Sequence, residues 1–80
     1  MNAVIIVYTQ PGCFYCTRVK DYLKLKGIEF AEKDKTKDPQ FLEELAELGQ
    51  MVTPVTIIGT EVVVGFDLKK LEPLLEGVKA

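Results

Sequence analysis

The chain has 80 residues, 48% of them hydrophobic and 28% charged, with a formal net charge of −2. That is the length of one domain with enough apolar material for a single core, and its mixed charges argue against binding nucleic acid or a membrane surface. With two cysteines and no histidine, histidine-based acid–base catalysis is excluded, and one copy cannot complete a four-ligand Cys/His zinc site.

Met1-Asn2 lacks the basic start of a secretory leader, the apolar run Ala3–Tyr8 is short, and no small-residue cleavage site follows. No stretch is long enough to cross a bilayer. A cytoplasmic location is therefore expected, a compartment that keeps most thiols reduced.

Val4-Ile5-Ile6-Val7-Tyr8 is an unbroken β-branched and aromatic run, which predicts a central strand covered on both faces. Gln10-Pro11-Gly12 ends it. A helix fits from about Cys13 to Lys26, with Cys16, Val19, Tyr22 and Leu23 on one side and Arg18, Lys20, Asp21 and Lys24 on the other. Gly27 supplies its C-terminal cap and Ile28 the apolar residue after it. Ile28 to Phe30 reads as a second strand, completing a right-handed parallel βαβ unit.

Lys33-Asp34-Lys35-Thr36-Lys37-Asp38 reads as a solvated mixed-charge loop. Asp38 at an N-cap and Pro39 at the first helical position open a second helix. In it Phe41, Leu45 and Leu48 share a face, Leu42 lies beside them, Glu43 and Glu44 fall near the positive end, and Gly49 closes the helix. Val55-Thr56-Ile57-Ile58 and Glu61-Val62-Val63-Val64, joined by Gly59-Thr60, predict a hairpin with a type II′ turn. After Gly65-Phe66, Asp67 can cap a last helix with Leu68, Leu71, Leu74 and Leu75 inward. Pro73 removes a backbone donor there, so a late start, a kink or a short 3₁₀ turn is expected. The order β-α-β-α-β-β-α predicts an α/β fold: one four-stranded mixed sheet flanked by three helices. The first strand should lie beside the second and third, with the fourth at an edge.

Cys13-Phe14-Tyr15-Cys16 sits where a central strand ends and a helix begins, the context that makes a C-x-x-C pair redox-active. A helix N-terminus offers unpaired N–H groups and a positive dipole end. A thiolate there is stabilised, and Cys13 should be more acidic than a free thiol. Cys13 should be partly exposed and act as the nucleophile. Cys16 is turned toward Val19 and Leu23 and should resolve the mixed disulfide. Half of an intersubunit metal or iron–sulfur site would use the same residues, as would a pair of inert buried thiols, and the strand-to-helix position argues against the inert pair. Thr53-Pro54 precedes a strand; only about one X–Pro bond in twenty is cis, so the base rate favours trans. Phe66 serves equally as an exposed docking rim or as core.

Taken together, Tyr8 to Cys16, Lys26-Gly27-Ile28-Glu29-Phe30, Thr53-Pro54-Val55 and Gly65-Phe66-Asp67 resemble the glutaredoxins, and closer still the glutaredoxin-like redoxins of the NrdH type. The resemblance covers nearly the whole chain as a single domain and implies a thioredoxin-like fold and a cis Thr53–Pro54 bond. It implies a Thr53 backbone that pairs with an extended substrate segment or the cysteinyl part of glutathione. It further implies close backbone approach at Gly65, an anionic group met by the amides that follow it through Phe66 and Asp67, and Tyr15 flanking the sulfurs. The chain departs from glutaredoxins at Phe14-Tyr15 for Pro-Tyr, at Gln10 for a lysine, at Val52-Thr53-Pro54 for Thr-Val-Pro, at Val64-Gly65 for a double glycine, and at Asp67-Leu68 for an acidic pair. Those departures weaken the match to a glutathione site, and Gly65-Phe66 with Leu71 resembles the NrdH spacing better.

The resemblance implies a monomeric dithiol electron donor with no tightly bound cofactor and no metal. Its substrates would be protein disulfides, ribonucleotide reductase among them, with glutathione or thioredoxin reductase as the electron source. A glutathione-dependent dimer holding an iron–sulfur cluster, or a redox-regulated interaction module, are the alternatives.

Overall fold

The computed structural model describes residues 4–50 and 52–78. Three helices and a four-stranded mixed sheet follow one another as β1 (Ile5–Thr9), α1 (Phe14–Leu25), β2 (Ala31–Asp34), α2 (Pro39–Glu47), β3 (Val55–Ile58), β4 (Glu61–Val64) and α3 (Leu68–Val78). The strand order is β2-β1-β3-β4. β1 runs parallel to β2, with Thr9 opposite Asp34, and antiparallel to β3, with Tyr8 opposite Val55. This is the expected topology. The question of a leader at Met1-Asn2-Ala3 lies outside the described residues.

Strand alternation divides the apolar residues of β1 between two cores. Ile5 and Val7 join Val19 and Leu23 of α1, Leu71 and Leu75 of α3, and Ile58 and Val63 of the hairpin. Tyr8 joins Leu45 of α2 and Val55, with Ile6 and Ile57 packed alongside. An unbroken apolar strand is thus covered on both faces, as its composition requires.

The two connecting helices end as their sequences dictate. Ile28 N–H donates to Leu23 C=O at 2.9 Å and Gly27 N–H to Lys24 C=O at 3.0 Å, the paired bonds that close a helix on a glycine. Gln50 and Gly49 repeat the pattern on Leu45 and Ala46. Asp38 Oδ1 accepts from Gln40 N–H at 2.9 Å and caps α2, with Pro39 in the first turn. In the hairpin only the glycine of Gly59-Thr60 has a positive φ, at 63°. A type I′ turn needs two such residues, so the turn is the expected II′.

Several expectations are corrected. The second strand is Ala31–Asp34, not Ile28 to Phe30, and it takes in the first two residues of the segment read as a charged loop. Ile28 is used to close α1, and it and Phe30 pack on the larger core from the connection before the strand. A polar strand is tolerated because β2 is an edge. Two of its three charges are paired, Glu32 with Lys20 of α1 and Lys33 with Glu44 of α2.

Glu43 and Glu44 do not sit at the positive end of α2, whose first turn has no acid. They lie a turn further in, where Glu44 binds Lys33 and Tyr8. Leu42 and Leu48 are 41% and 38% exposed and Leu45 alone of α2 is fully buried, because a nine-residue helix presents one narrow stripe to the sheet. Leu68 is also exposed rather than inward. Finally, α3 runs through Pro73 without a late start. Pro73 and Lys69, whose carbonyl loses its donor, are both exposed, so that carbonyl is not left without a donor in the core, while Leu71 and Leu75 hold the helix to it.

Candidate redox site

The Gln10-Pro11-Gly12 turn carries the chain from the end of β1 to Cys13, which is the N-cap of α1 with φ −87° and ψ 110°. Its sulfur accepts the N–H of Cys16 at 3.1 Å, the bond usually supplied by a serine or aspartate oxygen at this position. Cys13 and Cys16 are joined as a disulfide, with Cα atoms 5.2 Å apart. The two are unequal. Cys13 is half-buried, whereas Cys16 is 2% exposed, on the α1 face that also buries Val19 and Leu23.

The loop before β3 closes over the first sulfur. The Thr53–Pro54 peptide is cis, as the resemblance implies and against the base rate. The Thr53 hydroxyl donates to Cys13 Sγ at 3.8 Å, and the Thr53 carbonyl oxygen lies 3.8 Å from the same atom. Gly65 N–H donates to Pro54 C=O at 2.8 Å, tying the end of β4 to this loop. A Cβ at Gly65 would meet nothing within 4 Å, so no close approach within the protein demands it; the requirement is its φ of 77°. Asp67 follows at the start of α3, where its carbonyl accepts the N–H groups of Lys70 and Leu71.

Phe66 turns inward. It packs, partly buried, against the larger core, edge-on to Tyr22 with ring centroids 6.2 Å apart. Tyr15 and Phe14 are 58% and 63% exposed and meet edge-to-face, leaving two aromatic rings in solvent beside the sulfurs.

Gln10 lies on a different side. With Cys13, Cys16, Lys20, Glu32 and Lys37 it lines an open cleft of about 510 Å³ between α1 and β2. Among the described residues, Thr53, Pro54 and Gly65 do not line this cleft, so the expected binding residues divide between two sides of the disulfide. Glu32 is held there by Lys20 Nζ at 2.9 Å and by the buried Thr9 hydroxyl at 2.9 Å. The Lys20 hydrogen bond keeps its carboxyl below the usual range, against the opposing pull of burial. Reading the sequence alone misses this pair, because Lys20 and Glu32 belong to different elements that only the βαβ crossover brings together. Among the described residues no group of three or more Cys, Asp and Glu is placed to hold a metal. No helix of the described residues is long and apolar enough to cross a membrane.

A half-exposed sulfur at a helix mouth, bonded to a buried sulfur one turn along, is an arrangement suited to reversible disulfide exchange. The comparisons agree. A family model described as Glutaredoxin matches residues 5–63. An uncharacterized glutaredoxin-like 8.6 kDa protein of the rubredoxin operon of Clostridium pasteurianum is 34% identical over 74 residues, 91% of this chain and 99% of that one. The thioredoxin-like protein BC3987 superposes with a TM-score of 0.83 at 39% identity, covering 88% of this chain and 97% of its own. The NrdH-redoxin from Escherichia coli, a glutaredoxin-like protein with a thioredoxin-like activity profile, superposes with a TM-score of 0.81 at 27% identity, covering 88% and 92%. The fold is therefore thioredoxin-like, the cysteine pair is that of a redox protein, and the chain belongs to the glutaredoxin family.

Proposed function

We propose that the chain is a dithiol electron donor that reduces disulfides in other proteins. The observation that carries this reading is the inequality of the two sulfurs: Cys13 half-buried at the helix mouth, Cys16 sealed behind it. In the reduced protein the Cys13 thiolate attacks one sulfur of a substrate disulfide. The substrate S–S bond breaks, its leaving thiolate takes a proton from solvent, and a mixed disulfide forms. Cys16 then loses its proton and attacks the Cys13 sulfur, releasing the second substrate thiolate, which is protonated in turn. Two electrons and two protons pass to the substrate, and the dithiol ends as the Cys13–Cys16 disulfide. Cys13 acts as nucleophile because it is reachable and faces the α1 amides; Cys16 resolves because substrate sulfur cannot reach it.

The Thr53 backbone, beside the Cys13 sulfur, is the partner for an extended substrate segment, and the region from Gly65 to Asp67 its flanking contact. Ribonucleotide reductase is the protein substrate we favour, with thioredoxin reductase rather than glutathione returning the electrons. The uncharged Gln10 and the single acid Asp67 support that order. Turnover is tested with NADPH consumption, using thioredoxin reductase in one arm and glutathione with glutathione reductase in the other. The first arm should sustain reduction of insulin and Cys13→Ser should abolish it. A Cys13→Ser protein with full activity would end this reading.

A further inference from the structure

Among the described residues two buried hydroxyls, those of Tyr22 and Thr56, have no hydrogen-bond partner. Thr56 is completely enclosed, at 0% exposure. It stands in β3 directly opposite Val7 on one side and Val63 on the other, and residues directly opposite in a sheet share a face. Val7 and Val63 pack with Val19 and Leu23 of α1, so the Thr56 side chain belongs to the apolar layer beneath that helix. A buried hydroxyl left without a partner is destabilising, and native proteins leave few of them.

Cys16 shares this layer, buried on the same face of α1 as Val19 and Leu23. Its mouth is marked by the contact of Thr53 with the Cys13 sulfur at 3.8 Å. From there α1 descends one turn to Cys16, whose Cα lies 5.2 Å from that of Cys13. On the facing side the chain descends two residues from Pro54 to Thr56, about 6.6 Å when extended. Cys16 and Thr56 thus reach a similar depth from opposite sides. Tyr22 lies further along α1, its ring against Phe66. In the disulfide the Cys16 sulfur has neither proton nor charge, and Thr56 makes no bond to it. Reduction by two electrons and two protons breaks the S–S bond and leaves Cys16 as a thiol, which donates, or after loss of its proton a thiolate, which accepts strongly. A hydroxyl serves both forms. We propose that Thr56 is a positioning residue for Cys16 whose hydrogen bond forms only in the dithiol, shifting the redox poise of the pair toward the reduced form. The inference rests on the reading of the dithiol as an electron donor.

The test uses Thr56→Val, which removes the hydroxyl and keeps the β-branched shape between two valines. Parent and variant are equilibrated in dithiothreitol buffers of graded dithiol-to-disulfide ratio, blocked with iodoacetamide and read by intact mass. The variant's equilibrium should move about tenfold toward the disulfide, the scale of one buried hydrogen bond. For a two-electron couple that is a potential about 30 mV more negative. Thr56→Ser, which keeps the hydroxyl, should recover most of the shift, and Tyr22→Phe should produce none. Urea unfolding closes the cycle: Thr56→Val should stabilise the disulfide form relative to the dithiol by the same factor. An equilibrium unmoved by Thr56→Val, or moved as far by Thr56→Ser or by Tyr22→Phe, overturns the proposal and leaves the reductase reading standing. Equal stability changes in both redox forms also overturn it. A parent cysteine pair that never interconverts across the buffer series ends the reductase reading and the proposal with it.

Discussion

The backbone N–H of Cys16 points at the sulfur of Cys13 from 3.1 Å, within a single turn of α1. A donor held there stabilises the charged sulfur over the neutral thiol, as does the positive end of the helix. In the reduced protein the Cys13 thiol should therefore titrate below the free value of about 8.5. Thiolate absorbance against pH measures it, and an iodoacetamide label should fall on Cys13 alone. A midpoint at or above the free value would refute the role assigned to the helix terminus.

Burial of Cys16 to 2% exposure makes its task internal. Cys16→Ser should stop the exchange halfway, so the variant should accumulate a mixed disulfide between Cys13 and its substrate, seen as a covalent adduct by intact-mass measurement and released by dithiothreitol. Cys13→Ser should form none. An adduct through Cys16 in that variant would reverse the roles.

Gly65 and Gly59 share a left-handed backbone, with φ of 77° and 63°. Alanine at either should cost about 1–2 kcal/mol, since the penalty is steric and local. The outcomes for activity should differ. Gly65→Ala disturbs the Gly65-to-Pro54 bond at 2.8 Å, beside Cys13, and should slow disulfide reduction several-fold. Gly59→Ala lies in the hairpin turn away from the sulfurs and should lower the Tm while leaving the reaction rate alone. Equal activity losses would separate Gly65 from the site.

The Tyr8 hydroxyl donates to Glu44 at 2.7 Å, and Lys33 Nζ shares that oxygen at 2.9 Å. Burial first, then the bond to the Glu44 carboxylate, pushes the phenol up to about 12. A folded pKa above the unfolded value of about 10 means that stability from this group is complete below pH 10. It is lost as pH rises from there through 12, a span of about 3 kcal/mol. Glu44 moves oppositely: the Lys33 hydrogen bond, then that from Tyr8, hold its carboxyl below the usual range. Its contribution is present above the ordinary glutamate pKa and fades as pH falls through the lower, folded one. Urea midpoints should show both slopes. Tyr8→Phe should flatten the alkaline one and Glu44→Gln the acid one; an unchanged alkaline slope in Tyr8→Phe would show the phenol free of this network.

Much of the molecule was legible before any coordinates, and for identifiable reasons. β1 is an unbroken apolar run because both its faces are covered, the ends of α1 and α2 carry their capping residues within a few positions, and Gly59-Thr60 encodes its own turn. These are local effects, carried by neighbours in the chain. β2 was misplaced by three residues because its polarity belongs to an edge, and an edge is a property of the assembled sheet. Pro73 misled similarly: what a missing hydrogen bond costs depends on whether water can reach the carbonyl left over.

The amino-acid order alone determined the paired cysteines at a strand-to-helix junction and hence the redox character of the chain, since helix N-termini and C-x-x-C spacing are matters of short range. Only the tertiary structure decided what surrounds the reactive sulfur. Thr53 meets Cys13 across 40 residues, Glu32 is held by Lys20 and Thr9 from separate elements, and Phe66 packs partly buried against the core. Contacts of that kind exist only once the βαβ crossover and the hairpin have closed around β1, because no local preference specifies which distant side chain fills the space.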